Sequence, residues 1–345
     1  MSELQRVGNG ETAIELRGGL SVNPTMAIVL ASAIGAGVLT LITLMYARRV
    51  GLMDVPSDRR SHAVVTPRGG GLSMVLVVSA GLAYFAITQQ VRVAIGALVG
   101  LALVAAVGWL DDHKDLSVRV RLLAHFVASI LLAASSGLPP WGMALTFVCA
   151  IVLINVWNFM DGINGIAASQ AAVFAAVSAV LLTSPMAVWL SVLLLGACIG
   201  FLPFNFPRAR IFMGDVGSGA LGFLIAVLLS FGMHETHGIL PIWLLAFPLA
   251  PFLVDAGWTL LARILKREAW WTAHVTHVYQ VWSRRLGAHL PVTLTYLVLA
   301  LLGAGLAISI QGRDINFIKI SLTLWYTVLS FAWWILRKQG FTRSF

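Results

Sequence analysis

Acidic residues are scarce in this chain, with 14 Asp and Glu among 345 residues. Charged residues of both signs reach only 11%, against roughly 25% in an ordinary soluble domain. That is too little polar surface to cover a soluble globule. With 59% hydrophobic residues and a mean hydropathy of +0.89, the chain reads as an integral membrane protein. Cysteine is scarcer still. Cys149 and Cys198 both lie inside apolar runs, which excludes a disulfide framework and a cysteine-based zinc cluster. The alternating pattern of a membrane β-barrel is missing, and so are internal repeats and low-complexity tracts. The first residues carry Glu3, Glu11 and Glu15 without an apolar core, so they read as a polar tail and not as a cleavable signal.

What is present is a series of apolar segments of about 20 residues, the length of a membrane-spanning helix. They run over roughly 25–46, 70–88, 91–110, 119–136, 141–158, 163–183, 186–204, 216–232, 238–262, 291–310 and 315–336. The expectation is an all-α, polytopic membrane protein with about eleven spans. A polar extracytoplasmic tail covers 1–24, a single transmembrane catalytic domain 25–336, and a cytoplasmic tail 337–345. With the N-terminus outside, 18 of the 23 Lys and Arg fall on the cytoplasmic side. Such a bias sets topology. It also explains the net charge of +9 without nucleic acid, which is not expected as a partner.

The few carboxylates follow the same sorting. Asp54, Asp58, Asp111, Asp112, Asp115, Asp161, Asp215 and Glu268 all reach the cytoplasmic side, and Asp255 lies within the ninth span. "DDHKD" (111–115) closes a span; helical spacing lets its three Asp reach a common side, where a divalent cation would offset their repulsion. Lys114, Arg119 and Arg121 are the metal-free alternative. "NVWNFMDGINGI" (155–166) puts Asn158 and Asp161 at a glycine-rich turn, where Asp161 either caps the next helix or reaches substrate. "FNFPRARIFMGDVGSG" (204–219) carries Asn205 and then Asp215, at a helix entry suited to anions. In "LMDVPSDRRSHAVVTPRGGG" (52–71), Arg60, His62 and Arg68 can face phosphate. In the longest cytoplasmic loop, His274 and His277 are three apart, a weak zinc signal better read as donors to phosphate.

Taken together and in order, these blocks, with "PFLVDAGWTLLARI" and "HVTHVYQ", resemble the polyprenyl-phosphate N-acetylhexosamine-1-phosphate transferases of the glycosyltransferase family 4 type. "DDHKD" followed by "SVRVR" looks closer to the branch that initiates O-antigen and enterobacterial-antigen synthesis. The triple-histidine run of the peptidoglycan branch is reduced here to His274-x-x-His277. The resemblance implies transfer of N-acetylhexosamine 1-phosphate from a UDP-sugar to undecaprenyl phosphate, releasing UMP. The protein would lie in the bacterial inner membrane with its active site on the cytoplasmic face. The cofactor implied is Mg²⁺, with Mn²⁺ as a substitute; membrane lipid surrounds the chain, and a homodimer is left open.

Carried over by position, Asp111 and Asp112 form the catalytic acidic pair, and Asp215 is the metal ligand. Asn158, Asp161, Asn205, His274, His277, Arg60, His62 and Arg68 are the substrate contacts. Two other functions compete. A membrane prenyltransferase would carry a second Asp-rich motif in a related half, and "DDHKD" has no twin. A transporter would place its charges near the middle of the bilayer, where only Asp255 is a candidate.

Overall fold

A computed structural model describes residues 23–56, 64–89, 91–234, 240–268 and 275–341. The fold is all-α and polytopic. In chain order the helices are α1 (Pro24–Val50), α2 (Leu72–Thr88), α3 (Arg92–Lys114), α4 (Val118–Ser135), α5 (Pro140–Met160) and α6 (Ile166–Leu181). They continue as α7 (Pro185–Asn205), α8 (Asp215–His234), α9 (Leu240–Leu265), α10 (Val278–Leu286), α11 (Leu290–Ile310) and α12 (Ile315–Phe341). Among the described residues, nine helices are long and apolar enough to cross a membrane. Each of the eleven expected segments is a helix, but α2 and α6, at 17 and 16 residues, fall short of the usual spanning length. The structure therefore does not establish a count of eleven spans.

Three features depart from the sequence reading. The loop after α1 forms a short hairpin, β1 (Met53–Asp54) paired antiparallel with β2 (Thr66–Pro67), with Asp54 opposite Thr66. Helix α10 is additional; it is too short and too polar for a spanning segment, and it buries Val278, Tyr279, Gln280 and Ser283. Finally, α12 runs to Phe341, so residues 337–341, expected in the tail, continue the last helix. The expected N-terminal tail lies outside the described residues up to 22.

The bundle is organised around α8. Every residue from Val216 to Met233 is buried, the behaviour of a helix that is apolar around its whole circumference. It touches α2, α3, α5, α6, α7 and α9, whereas α1 and α12 lie at the periphery with most of their surface facing outward. In lipid there is little hydrophobic drive between helices, so close approach of backbones through small residues carries the packing. A Cβ on Gly222 would overlap the Leu153 carbonyl of α5, and one on Gly71 would overlap Gly217 of α8. These contacts bring the start of α2 and the end of α5 against the first turns of α8, where the site is built.

This packing predicts an asymmetry between glycines. Gly71→Ala forces backbone against backbone and should cost about 1–3 kcal/mol, as overpacking does. Gly305→Ala in α11 meets nothing within 4 Å and should gain up to ~1 kcal/mol from helix propensity. Thermal unfolding of both variants in detergent checks this; equal midpoints would refute the close-packed account.

Candidate active site

The site begins where α3 ends. Asp115 adopts a left-handed conformation (φ 47°) that Asp tolerates better than most residues, and it stops the helix. Ser117 then caps α4 by accepting the N–H of Val120. "DDHKDLS" is thus a helix-to-helix turn, and the turn aims its acids at α8. Asp112, 3% exposed, accepts the N–H of Asp215 on Oδ1 (3.1 Å) and that of Val216 on Oδ2 (3.2 Å). It caps the N-terminus of α8 from another helix, where a carboxylate is favoured by both hydrogen bonding and the helix dipole. The fit needs two glycines. A Cβ on Gly108 would overlap the Asp215 backbone, and one on Gly214 (φ 75°) would overlap the Asp112 carboxylate.

Asp111 points to the other side. It accepts the Leu116 N–H, and its Oδ2 lies 2.8 Å from Nη1 of Arg121. The same Nη1 lies 3.1 Å from Oδ2 of Asp215. One guanidinium from α4 therefore bridges two carboxylates from α3 and α8 and offsets their repulsion.

The second wall comes from the turn between α5 and α6. Asn158 donates to the Ser218 hydroxyl of α8 (3.2 Å), and Asp161 closes α5. Burial, followed by the negative charges of Asp215 and Asp112, raises the Asp161 carboxyl well above the usual range. Asn205 is a brace. Its Oδ1 accepts the Gly165 N–H (2.7 Å), and its Nδ2 donates to the Ile211 carbonyl (3.0 Å). The hairpin strand is locked to the segment before α8 by three backbone bonds: Phe212 N–H to Pro67, Gly70 N–H to Phe212, and Gly71 N–H to Met213.

These elements enclose a polar cavity of about 390 Å³. Its charged wall holds Asp54, Asp111, Asp112, Asp115, Asp161 and Asp215 with Arg68 and Arg121. Its lining also includes Asn164 and Gln280, which are uncharged amides, and His289. Of the expected residues, Asp111, Asp112, Asn158, Asp161, Asn205, Arg68 and Asp215 all line this one cavity. His277 does not. It is 2% exposed, it forms the N-cap of α10, and its Nδ1 lies 3.7 Å from Asp255. It stands at the start of α10, beside a carboxylate of α9. Arg60, His62 and His274 lie outside the described residues.

Sequence reasoning missed Asn164, Gln280 and His289 as wall residues and credited Arg121 only with neutralising charge. The only available signal for Arg121 was its distance of ten positions from Asp111, which no helix rule couples. A second, largely apolar cavity of about 400 Å³ opens between α3, α4, α5 and α9, and it shares Arg121, Asn158 and Asp215 with the polar one.

Residues 94–232, which run from α3 through most of α8, match glycosyl transferase family 4. That segment carries a glycosyl transferase family 4 domain. The chain is 27% identical over 326 residues to a probable undecaprenyl-phosphate N-acetylglucosaminyl 1-phosphate transferase of Bacillus subtilis, covering 88% of each chain. It is 30% identical over 263 residues to the decaprenyl-phosphate N-acetylglucosaminephosphotransferase of Mycobacterium tuberculosis, covering 65% of each. With the undecaprenyl-phosphate alpha-N-acetylglucosaminyl 1-phosphate transferase of Yersinia pestis it shares 28% identity over 319 residues, 83% of each chain. The family 4 match encloses Asp111, Asp112, Asn158, Asp161, Asn205 and Asp215.

Asp112→Ala removes the acceptor of two α8 N–H groups and should cost about 0.5–2 kcal/mol, in the range of a lost N-cap. Asp215→Asn keeps its backbone N–H on Asp112 and should unfold at the wild-type temperature. If the two variants melt together in detergent, the cap is not what holds α8.

Proposed function

We propose that this chain transfers N-acetylhexosamine 1-phosphate from a UDP-sugar to undecaprenyl phosphate, releasing UMP, on the cytoplasmic face of a bacterial inner membrane. The product would be the first lipid-linked intermediate of a cell-envelope glycan, and the form of "DDHKD…SVRVR" favours O-antigen. One observation carries the reading. A polar cavity suited to a nucleotide-sugar and an apolar cavity suited to a lipid chain meet at Arg121, Asn158 and Asp215. The relatives named above are transferases whose names pair a polyprenyl phosphate with N-acetylglucosamine 1-phosphate, in keeping with that division.

In the reaction, an oxygen of the lipid phosphate attacks the sugar-bearing phosphorus of the donor. The bond between the two donor phosphates breaks, and UMP leaves. A phosphomonoester has a second pKa near ~6, so the acceptor is already largely dianionic at neutral pH and needs little help from a base. Asp111 as a general base is therefore an addition to the scheme and not its centre. The harder problem is to bring two anions together. Arg121 stands at the junction of the cavities, where it can orient the acceptor phosphate, and Arg68 lies on the donor wall. Asn158 and Asn205 hold the turn that carries Asp161 against α8.

The donor set fits Mg²⁺. The acids are hard oxygen ligands, and Asp111 and Asp215 already share one cation in Arg121. Among the described residues no three acidic, His or Cys side chains converge as a ready-made cage. Mg²⁺ does not require one, since it is usually held by one or two carboxylates together with substrate phosphates and water. Asp215, with Asp111 beside it, would hold the ion. When bound, it would neutralise the diphosphate and stabilise charge on the departing UMP.

The test is release of UMP by the purified protein supplied with undecaprenyl phosphate and a panel of UDP-N-acetylhexosamines. Transfer should stop in EDTA and in Asp215→Asn, while Asp111→Asn and Asp112→Asn should each lose at least about 10²-fold, as lost electrostatic catalysis does. Full activity of Asp215→Asn, or in EDTA, would remove the metal role. A topology measurement tests the face of the membrane. In a background lacking Cys149 and Cys198, cysteines at positions 114, 209 and 275 should resist an impermeant thiol reagent in intact cells, and one at Gly312 should react. Labelling at 275 from outside would separate α10 from a cytoplasmic donor and sink the transferase reading.

A further inference from the structure

Asp255 is the most heavily bonded carboxylate outside the polar cavity. It lies within α9 and is 1% exposed. Its Oδ1 accepts the Val278 N–H (2.9 Å), the Trp333 indole N–H (3.2 Å) and the Thr259 hydroxyl (3.2 Å). Its Oδ2 accepts the Tyr279 N–H (3.1 Å) and the Tyr296 hydroxyl (2.7 Å). Val278 and Tyr279 are the first two residues of α10. Asp255 thus does for α10 what Asp112 does for α8: it caps the helix from a neighbouring span.

What α10 carries explains why its start needs such control. Tyr279 donates its hydroxyl to the Phe159 carbonyl at the end of α5, and the next residue, Gln280, lines the polar cavity. The orientation of the Gln280 carboxamide follows from bonding. It closes a capping box with His277, in which Oε1 accepts the His277 N–H at 3.4 Å. The NH₂ end must then be the one turned away from that backbone. It lies over Gly162, where an added Cβ would come within 3.1 Å of Nε2. An amide NH₂ has two donors, and the neighbouring Tyr279 hydroxyl takes at most one of them.

We infer that Gln280 binds an acceptor oxygen in the uncharged part of the nucleotide-sugar, and that Asp255 is the positioning residue that holds it there. The inference rests on the transferase reading for the identity of the ligand. Among the lining residues, Asn164 and Gln280 are uncharged amides, unlike the acids and arginines. The diphosphate belongs with Arg68, Arg121 and the metal-binding acids, and the two amides are left for neutral hydrogen-bonding groups, on the sugar or on the uridine.

A double-mutant cycle tests it. Gln280→Ala should raise the KM for the UDP-sugar roughly fivefold, as loss of one neutral hydrogen bond does, with kcat within about twofold. Asp255→Asn should do the same, yet change KM less than about twofold in the Gln280→Ala background, because it acts through that residue. Tyr296→Phe, which removes one of the five bonds, should show a smaller effect of the same kind and replaces Asp255→Asn if that variant does not fold. UMP as competitive inhibitor locates the contact: weakened UMP binding in Gln280→Ala assigns it to the uridine, unchanged UMP binding to the sugar. Unchanged affinity for both ligands in Gln280→Ala overturns the binding role, and additive effects overturn the positioning role. Hydrogen exchange separates this from failure of the transferase reading. Faster exchange of the Val278 and Tyr279 amides in Asp255→Asn supports the cap even in a protein that turns over no UDP-sugar, and unchanged exchange overturns it.

Discussion

A helix buried around its whole circumference has nowhere to send the free N–H groups of its first turn. Gly217 and Ser218 donate to the Gly214 carbonyl just ahead of the helix, which leaves the N–H groups of Asp215 and Val216. The donors have to be met by a group brought from elsewhere, and here that group is Asp112. The requirement fixes the end of α3 against the start of α8 within hydrogen-bonding distance, and the turn after α3 then delivers Asp111 and, through α4, Arg121. The acidic cluster is therefore not an accident of a solvated helix end. One acid is spent on holding the central helix, and its neighbours are left facing the cavity.

The remaining charges follow from the same placement. Six carboxylates on one wall would repel without cations, and the fold supplies Arg121 between two of them and Arg68 nearby. An anionic substrate alone would find such a wall hostile, so a divalent ion that joins acid to diphosphate is the natural partner of this arrangement. The position of Arg121 between a polar and an apolar cavity also matches the physical problem of the proposed reaction, which joins a soluble anion to a lipid one.

Much of this was legible in the sequence, and the reasons differ by element. Apolar length marks the nine long helices and the shorter α2 and α6, because a spanning helix must satisfy its backbone internally and present apolar side chains to lipid. The acids of 111–115, the turn at 158–161 and Asp215 could be grouped because the sorting of Lys and Arg put their helix ends on one face. Arg121 was expected beside the acids, but its bridge to Asp215 was not, and Asn164, Gln280 and His289 could not be placed, since these positions are set by how the helices pack. The neighbour of His277 was hidden for a related reason, since the buried carboxylate beside it, Asp255, comes from another span. Asp255 itself could be flagged as an intramembrane acid, but of its five partners only Thr259, four residues on, is marked by local spacing, and the other four come from α10, α11 and α12.

The glycines around α8 divide the cavity into two unequal halves. On the side of α2, α3 and α8, backbone meets backbone at Gly71 and Gly108, and Gly214 meets the Asp112 carboxylate, so none of the three can carry a side chain without displacing its neighbour. On the side of α10 and α11, the wall consists of the ends of Gln280 and His289, which can be exchanged without moving a helix. A redesign for a different sugar would have its freedom on that second side. The first is closed to it by van der Waals radius alone.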